Sequence, residues 1–276
     1  MKSLSMQILV VLLLLSINGN ARGNTTQPFT ITWAINDAPP FHIMDGEFQG
    51  DGMCDVLIDV FSTQMKDTRF DTLVMPQNRI NMLTEQKRNL CFPCLIKRAD
   101  NDVWLYSDIT VYHAPLGIIG KPEVLEPYVD SQGRISLRRL TEAKLLRMGK
   151  PIARRYPEVL QLYVDSVQKT PLLAELSGEN ATTRVLEQIE FGRIDFTLEY
   201  PSILKYYSAT SGSEEIVYYE TAELATQTVA GAVGCTNNEW GKNAVERMNK
   251  VIPHIITNPM YKKQQAFWYG TLTPSL

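Results

Sequence analysis

The stretch Ala181 to Tyr207, ATTRVLEQIEFGRIDFTLEYPSILKYY, changes its period twice within a short distance. Ala181 to Glu190 reads as a helix with Asn180 as its expected cap, because Asn favours the position whose side chain accepts a free N–H of the first turn. Gly192 then turns the chain into Ile194 to Leu198, a compact apolar run with strand character, and Tyr200 to Tyr207 is helical again. Helix, strand and helix joined by three residues and then by one indicate an α/β chain.

The same alternation extends in both directions. Upstream, Phe29-Thr30-Ile31-Thr32-Trp33 alternates as a first strand, and Asn36-Asp37-Ala38-Pro39-Pro40-Phe41 follows as a loop before a turn marked by Gly46, Gly50 and Gly52. Val56, Leu57, Val60, Phe61 and Met65 lie at helical spacing within Cys54 to Lys66. Thr72 to Met75 is expected to be a strand, Asn78 to Lys87 a helix, and Leu90 to Ile96 and Leu116 to Ile119 the next two strands. Leu137 to Leu146 reads as a helix, Pro151 to Ala153 as a strand and Pro157 to Val164 as a helix. Downstream, Val229 to Val233 is a late strand, Ala244 to Val251 a helix, and Tyr261 to Trp268 closes the chain. A Gly-rich phosphate loop, G-x-S-x-G and H-E-x-x-H are all missing, so the common signatures of enzyme chemistry are not written here.

The N-terminus has the layout of a secretory signal peptide. Lys2 supplies a positive charge, Ile8 to Leu15 is an unbroken apolar run, and Ala21 and Gly23 offer small residues for cleavage. The run is far short of the ~20 apolar residues that a spanning helix needs. Cleavage after residue 23 would leave 253 of the 276 residues, with 25 of the 27 basic residues against 30 acidic ones. That size suits one large or two small domains. Mild acidity with mixed signs argues against nucleic acid, whose binding needs clustered positive charge. No later stretch reads as a membrane segment, and no cofactor is called for.

Four cysteines remain: Cys54, Cys91, Cys94 and Cys235. An even count in an exported chain reads first as structural disulfides. Cys91-Phe92-Pro93-Cys94 also has the spacing of a redox pair, but its surroundings read as a buried strand rather than a helix N-terminus. Three extended steps would separate the two by about 10 Å and place their sulfurs on opposite faces. Only three His are present, and none stands at ligand spacing from this C-x-x-C, so no metal is assigned.

The order of several weak motifs carries more than any one of them. The first strand is followed by Pro39-Pro40-Phe41, then by Gly52 and Asp55 opening a helix. Trp104 to Asp108 and the apolar segment Leu116 to Ile119 come next. Gly192-Arg193-Ile194-Asp195 then precedes a helix carrying Tyr206-Tyr207, and Trp240-Gly241 opens a helix with Asn249. In this order the chain resembles the family 3 extracellular solute-binding proteins, with the type II periplasmic binding fold. It is most similar to a subgroup marked by Arg-x-Tyr after a domain-two strand, here Arg154 and Tyr156, and by Cys at the Cys91 and Cys235 positions.

The resemblance implies two α/β lobes joined by two hinge crossings with a ligand cleft between them. Lobe one would be 24–112 plus 226–276 and lobe two 113–225, and hinge closure would bury the solute. It implies a periplasmic chain, and pairs Cys91 with Cys235 and Cys54 with Cys94. Amino-acid binders of this family usually carry an Arg six residues before the aromatic-Ser of the strand-three region; here that position is Asp100. Their usual ammonium-binding Asp falls on Tyr200, beside Glu199. A standard amino acid would then need substitutes, Arg98 or Lys97 for the carboxylate and Glu199 for the amine.

Each candidate ligand residue has a plainer alternative. Arg154 and Tyr156 sit at a strand-to-helix junction that favours anions, or are a surface Arg and a packed Tyr. Glu199 and Tyr200 end a strand facing the expected cleft, or are a solvated Glu and a core aromatic. Trp33 and Phe41 flank the first loop and suit stacking on a flat ligand, or belong to the lobe-one core. Asp37 borders the same loop, or only caps its turn. Lys97 and Arg98 follow the third strand, as carboxylate partners or as surface charge.

Three functions follow from these readings. The first is capture of a small polar solute, anionic or amino-acid-like, for an inner-membrane permease or sensor. The second is an enzyme on the same scaffold, such as a dehydratase of a cyclic carboxylic acid, using a carboxyl group with a raised pKa. The third is a redox role for Cys91 and Cys94.

Overall fold

The computed structural model describes residues 28–98, 102–152, 154–178, 180–224 and 229–270, so the expected signal peptide lies outside the described residues. Two sheets organise the chain. The first runs in the order β2-β1-β3-β11-β4, from strands Phe29–Ile35 (β1), Thr68–Val74 (β2), Cys91–Ile96 (β3), Trp104–His113 (β4) and Val229–Thr236 (β11). The second has the order β6-β10-β5-β9-β7-β8. Its strands are Gly117–Gly120 (β5), Arg134–Ile135 (β6), Met148–Pro151 (β7), Leu173–Leu176 (β8), Phe196–Glu199 (β9) and Val217–Thr221 (β10). The chain leaves the first sheet between His113 and Gly117 and returns to it between Thr221 and Val229. It therefore crosses twice between two α/β lobes.

Lobe one is built from β1 pairing parallel with β2 and β3, and from β11 running antiparallel between β3 and β4. Helices Met53–Gln64 (α1), Glu239–Asn249 (α8) and Ile252–Ile255 (α9) cover one core. Leu57, Val60, Phe61, Val233, Ala244 and Ile252 meet Trp33 and Cys91 there. Helix Gln77–Glu85 (α2) covers a smaller cluster around Ile80 and Leu90. In lobe two, Leu137–Ala143 (α4) and Glu158–Val167 (α5) pack on one side of the sheet through Leu140, Leu160 and Val164. Ala181–Glu190 (α6) and Pro201–Ser211 (α7) pack on the other through Val185, Ile189 and Ile203. The short helix Pro122–Leu125 (α3) follows β5, and Pro259–Tyr269 (α10) ends the described chain, packed on α1. No helix among the described residues is long and apolar enough to cross a membrane.

The two cysteine bridges tie lobe one together. Cys91 on β3 is bonded to Cys235 on β11, and Cys54 on α1 to Cys94, with the first pair directly opposite in the strand register. Cys91 and Cys94 thus face different partners, as the alternation of an extended strand requires, and they do not form a redox pair with each other.

Several sequence expectations are corrected. β4 is a ten-residue strand where only an aromatic-Ser segment was singled out, and β8 and β10 are additional strands. β4 mixes polar and apolar residues because its burial depends on α8 and α9, which lie far along the chain. Asn180 precedes α6, but its side chain makes no capping bond. Its backbone is not extended (φ −93°, ψ 26°), and capping geometry requires an extended residue there.

Candidate functional site

β7 and β9 lie side by side in lobe two, and the residues leaving their C-terminal ends gather at one place. Open α/β sheets place ligands outside the carboxyl ends of their strands. Glu199 is the last residue of β9 and is almost wholly buried, at 1% exposure. Arg154 leaves β7 through a tight turn, with its N–H bonded to the Pro151 carbonyl, and sends its guanidinium to Glu199. Nη2 of Arg154 donates to Oε2 of Glu199, and the Tyr200 N–H donates to Oε1 at 3.0 Å. About a quarter of the Arg154 side chain (26%) remains accessible, so the pair opens to solvent through its cation. Arg154 also borders a polar hollow of about 340 Å³ between β7, β8 and α5, beside the Lys150–Glu175 ion pair.

Burial shapes the chemistry of this cluster. It raises the Glu199 carboxyl above its ordinary pKa, and the Arg154 charge and the Tyr200 N–H pull back in the other direction. For Arg154 burial acts to remove the charge, but Glu199 first, with Tyr156 and Tyr200, together more than offset it, and the guanidinium is held charged. Tyr156 is buried, and its hydroxyl has no hydrogen-bond partner among the described residues. Burial first and then the Glu199 charge push its pKa well up, so the phenol stays protonated and able to donate. Tyr200 is pushed up to about 12, by burial and then by Glu199, while Arg154 and Arg98 pull it down. The Arg98 effect is a charge of lobe one felt on a side chain of lobe two.

Opposite Tyr200 stands His113, where β4 enters the first crossing. The two rings are 6.2 Å apart, and His113 also meets the edge of Phe41 at 5.8 Å and of Tyr269 at 5.6 Å. The Tyr269 hydroxyl is bonded to His113 Nδ1. The imidazole lies over Gly231 of β11, where a Cβ would stand 2.6 Å from Nε2, so only glycine leaves room for the ring. Burial lowers the His113 pKa to about 4, which keeps it neutral at physiological pH. Phe41 packs against clusters of both lobes. Farther along the same seam, Tyr206 of α7 meets Trp268 of α10 at 5.8 Å, and Lys205 Nζ lies 5.9 Å from the centre of the Phe267 ring.

The structure thus brings Arg154, Tyr156, Glu199 and Tyr200 together, with Phe41 and Arg98 facing them from lobe one. Trp33 is not among them: it is fully buried in the lobe-one core between Phe61 and Phe70, stacked on the latter with an interplanar angle of 3°. Its position on a central strand turns it toward α1 rather than toward the cleft. Asp37 is exposed and accepts the Met44 N–H at 3.3 Å, as a turn residue does, while its charge reaches Tyr206. Lys97 donates to the Ser107 carbonyl at 3.4 Å. Glu199 has both oxygens engaged within lobe two, which differs from the ammonium partner the resemblance suggests. His113 and Tyr269 carried no functional reading in the sequence, because a lone His and a late Tyr have no motif around them; their meeting depends on β4 and α10 converging.

No family model matches the chain, and no curated protein matches it. Solved structures do. An extracellular-binding protein of a probable amino-acid ABC transporter from Bacillus subtilis superposes with a TM-score of 0.63 at 16% identity, covering 88% of this chain and 98% of that one. A structure concerned with glutathione import through GshT and the cystine ABC importer TcyBC of Streptococcus mutans gives 0.66 at 13% identity, over 89% and 96%. A histidine kinase sensor domain with similarity to periplasmic binding proteins gives 0.61 at 11% identity, over 89% and 98%. At these identities the likeness establishes the fold: the chain has the two-lobed architecture of type II periplasmic binding proteins.

Proposed function

We propose that this chain is an exported solute-binding protein that captures a small polar solute between its lobes and presents it to a membrane permease or sensor. Lobe one is read as 24–112 plus 226–276 and lobe two as 113–225. The observation that carries the reading is the Arg154–Glu199 pair at the ends of β7 and β9, near Tyr156, whose hydroxyl has no partner among the described residues, with Phe41 and the Arg98 charge on the lobe-one side. A partly accessible guanidinium beside a buried donor suits a solute carrying acceptor oxygens. Aromatic rings at the seam supply the apolar walls common in small-molecule sites. The fold's likeness to an extracellular-binding protein of a probable amino-acid ABC transporter and to a histidine kinase sensor domain supports a binding role on either a transport or a sensing route.

Thermal-shift screening of the mature chain against amino acids, small peptides, organic acids, polyamines and sugars tests this. A solute at 100 times its dissociation constant adds about 2.7 kcal/mol of stability. One chemical class is expected to raise the melting midpoint, and Arg154→Ala to abolish that rise. A screen without any shift would defeat the reading. A second reading, catalysis, is favoured by one feature, the burial that raises the Glu199 carboxyl toward the range of a general acid. Mass spectrometry of the bound compound separates the two, since a binding protein returns it unchanged.

A further inference from the structure

We propose that the solute carries an oxyanion that Arg154 and Tyr156 hold together, and that its binding takes up one proton at Glu199. This rests on the solute-binding reading and adds to it a ligand chemistry and a proton linkage. The Glu199 charge is compensated by Arg154 and the Tyr200 N–H. An incoming carboxylate or phosphate needs that same guanidinium, and the free Tyr156 hydroxyl is placed to donate to it. Two anions would then share one cation in a site where Glu199 is shut from water. A buried charge that loses its partner is strongly disfavoured, and close like charges do not both stay ionised. Glu199 therefore accepts a proton from solvent on Oε2 and donates it as an O–H···O bond to the solute oxygen; no solute bond is broken.

The surroundings offer no other group for that role. Tyr156 and Tyr200 are already protonated, and His113, beyond the Tyr200 ring, has its burial holding it neutral. Lys150 is paired with Glu175 at 3.0 Å, and Arg98 adds a distant positive charge. Glu220 on β10 is separated from Glu199 by β5. Among the described residues around the site, only Glu199 combines burial with a counter-charge that a ligand can draw away.

Calorimetric titration with succinate, L-glutamate, L-cystine and inorganic phosphate, in two buffers of different ionisation enthalpy, tests the proposal; phosphate against the carboxylates identifies the kind of oxyanion. Binding of at least one probe is expected to take up about one proton and to tighten about tenfold per unit fall in pH from 8 to 7. Glu199→Gln should bind that probe without pH dependence or proton uptake, and Tyr156→Phe should weaken it about tenfold. Proton uptake by the wild-type chain decides the matter even if a variant fails to fold. Affinity independent of pH would overturn the linkage. Binding of a sugar or polyamine with no oxyanion bound would overturn the ligand class and leave the solute-binding reading standing. Absence of binding by any compound would remove both.

Discussion

At the residue scale, burial decides what the charged and aromatic groups can do. Arg154 and Glu199 are 45 positions apart, and neither is unusual where it stands in the sequence. Beside them, the Tyr156 hydroxyl has no hydrogen-bond partner among the described residues. His113 shows the same effect with a different sign. In the unfolded chain it titrates near 6.5, and in the fold near 4. Its proton is therefore bound more tightly by the unfolded chain, and stability is full above about pH 6.5 and lost as pH falls toward 4. The loss for this one group is on the order of 3 kcal/mol. His113→Gln, which keeps a polar side chain at the hinge, is expected to flatten that part of the stability-pH profile. Urea unfolding at pH 7 and pH 4.5 measures it, and an unchanged slope would show that His113 does not titrate on unfolding.

At the element scale, the residues that carry the resemblance turn out to hold elements in place. Asp55 accepts the N–H groups of Ile43 at 3.0 Å and Gly52 at 3.1 Å and meets His42 Nδ1 at 2.6 Å, fixing the loop before α1. Asp195 accepts the Arg147 N–H at 2.6 Å, and Asn249 accepts the Asp108 N–H at 2.9 Å. The Ser107 hydroxyl accepts the Val233 N–H at 3.0 Å, and Trp240 stacks on Phe29. A scaffold role explains why such motifs mark the fold while remaining silent on the solute. The disulfides act at this scale too. Cys91–Cys235 closes a separation of 144 residues and Cys54–Cys94 one of 40. By chain entropy the first is worth about 5 kcal/mol and the second about 4. Paired Cys→Ser substitution should lower chemical stability by up to those amounts, and more for Cys91 and Cys235. Equal effects, or none, would show that chain entropy does not govern here.

At the scale of the whole molecule, aromatic rings link the two lobes. Phe41, His113 and Tyr200 close one part of the seam, and Tyr206 with Trp268 closes another. In the proposed solute-binding reading, lobes joined by two crossings close as a hinge. Removing a ring from the seam weakens the closed form without touching either core. Tyr206→Ala is expected to increase the radius of gyration in small-angle scattering without solute, and to lower solute affinity through the smaller closed fraction. An unchanged scattering profile would show that this contact does not hold the lobes together.

The sequence by itself determined the α/β alternation, the run of apolar helices and strands, the extended character around Cys91 and the order of turn motifs. These depend on local periodicity and turn chemistry, which act over a few residues. It also named the pairs Arg154 with Tyr156 and Glu199 with Tyr200, alongside Trp33, Asp37, Phe41, Lys97 and Arg98, as candidates, with no contact between the pairs that it could reveal. Only the tertiary structure decided that Trp33 belongs to the core, that β4, β8 and β10 are strands, and that Arg154 is bound to Glu199. It alone brought His113 and Tyr269 to the seam. The physical reason is that burial and pairing are set by residues distant in the chain, and those set the charge state and the unfilled hydrogen bonds on which binding depends.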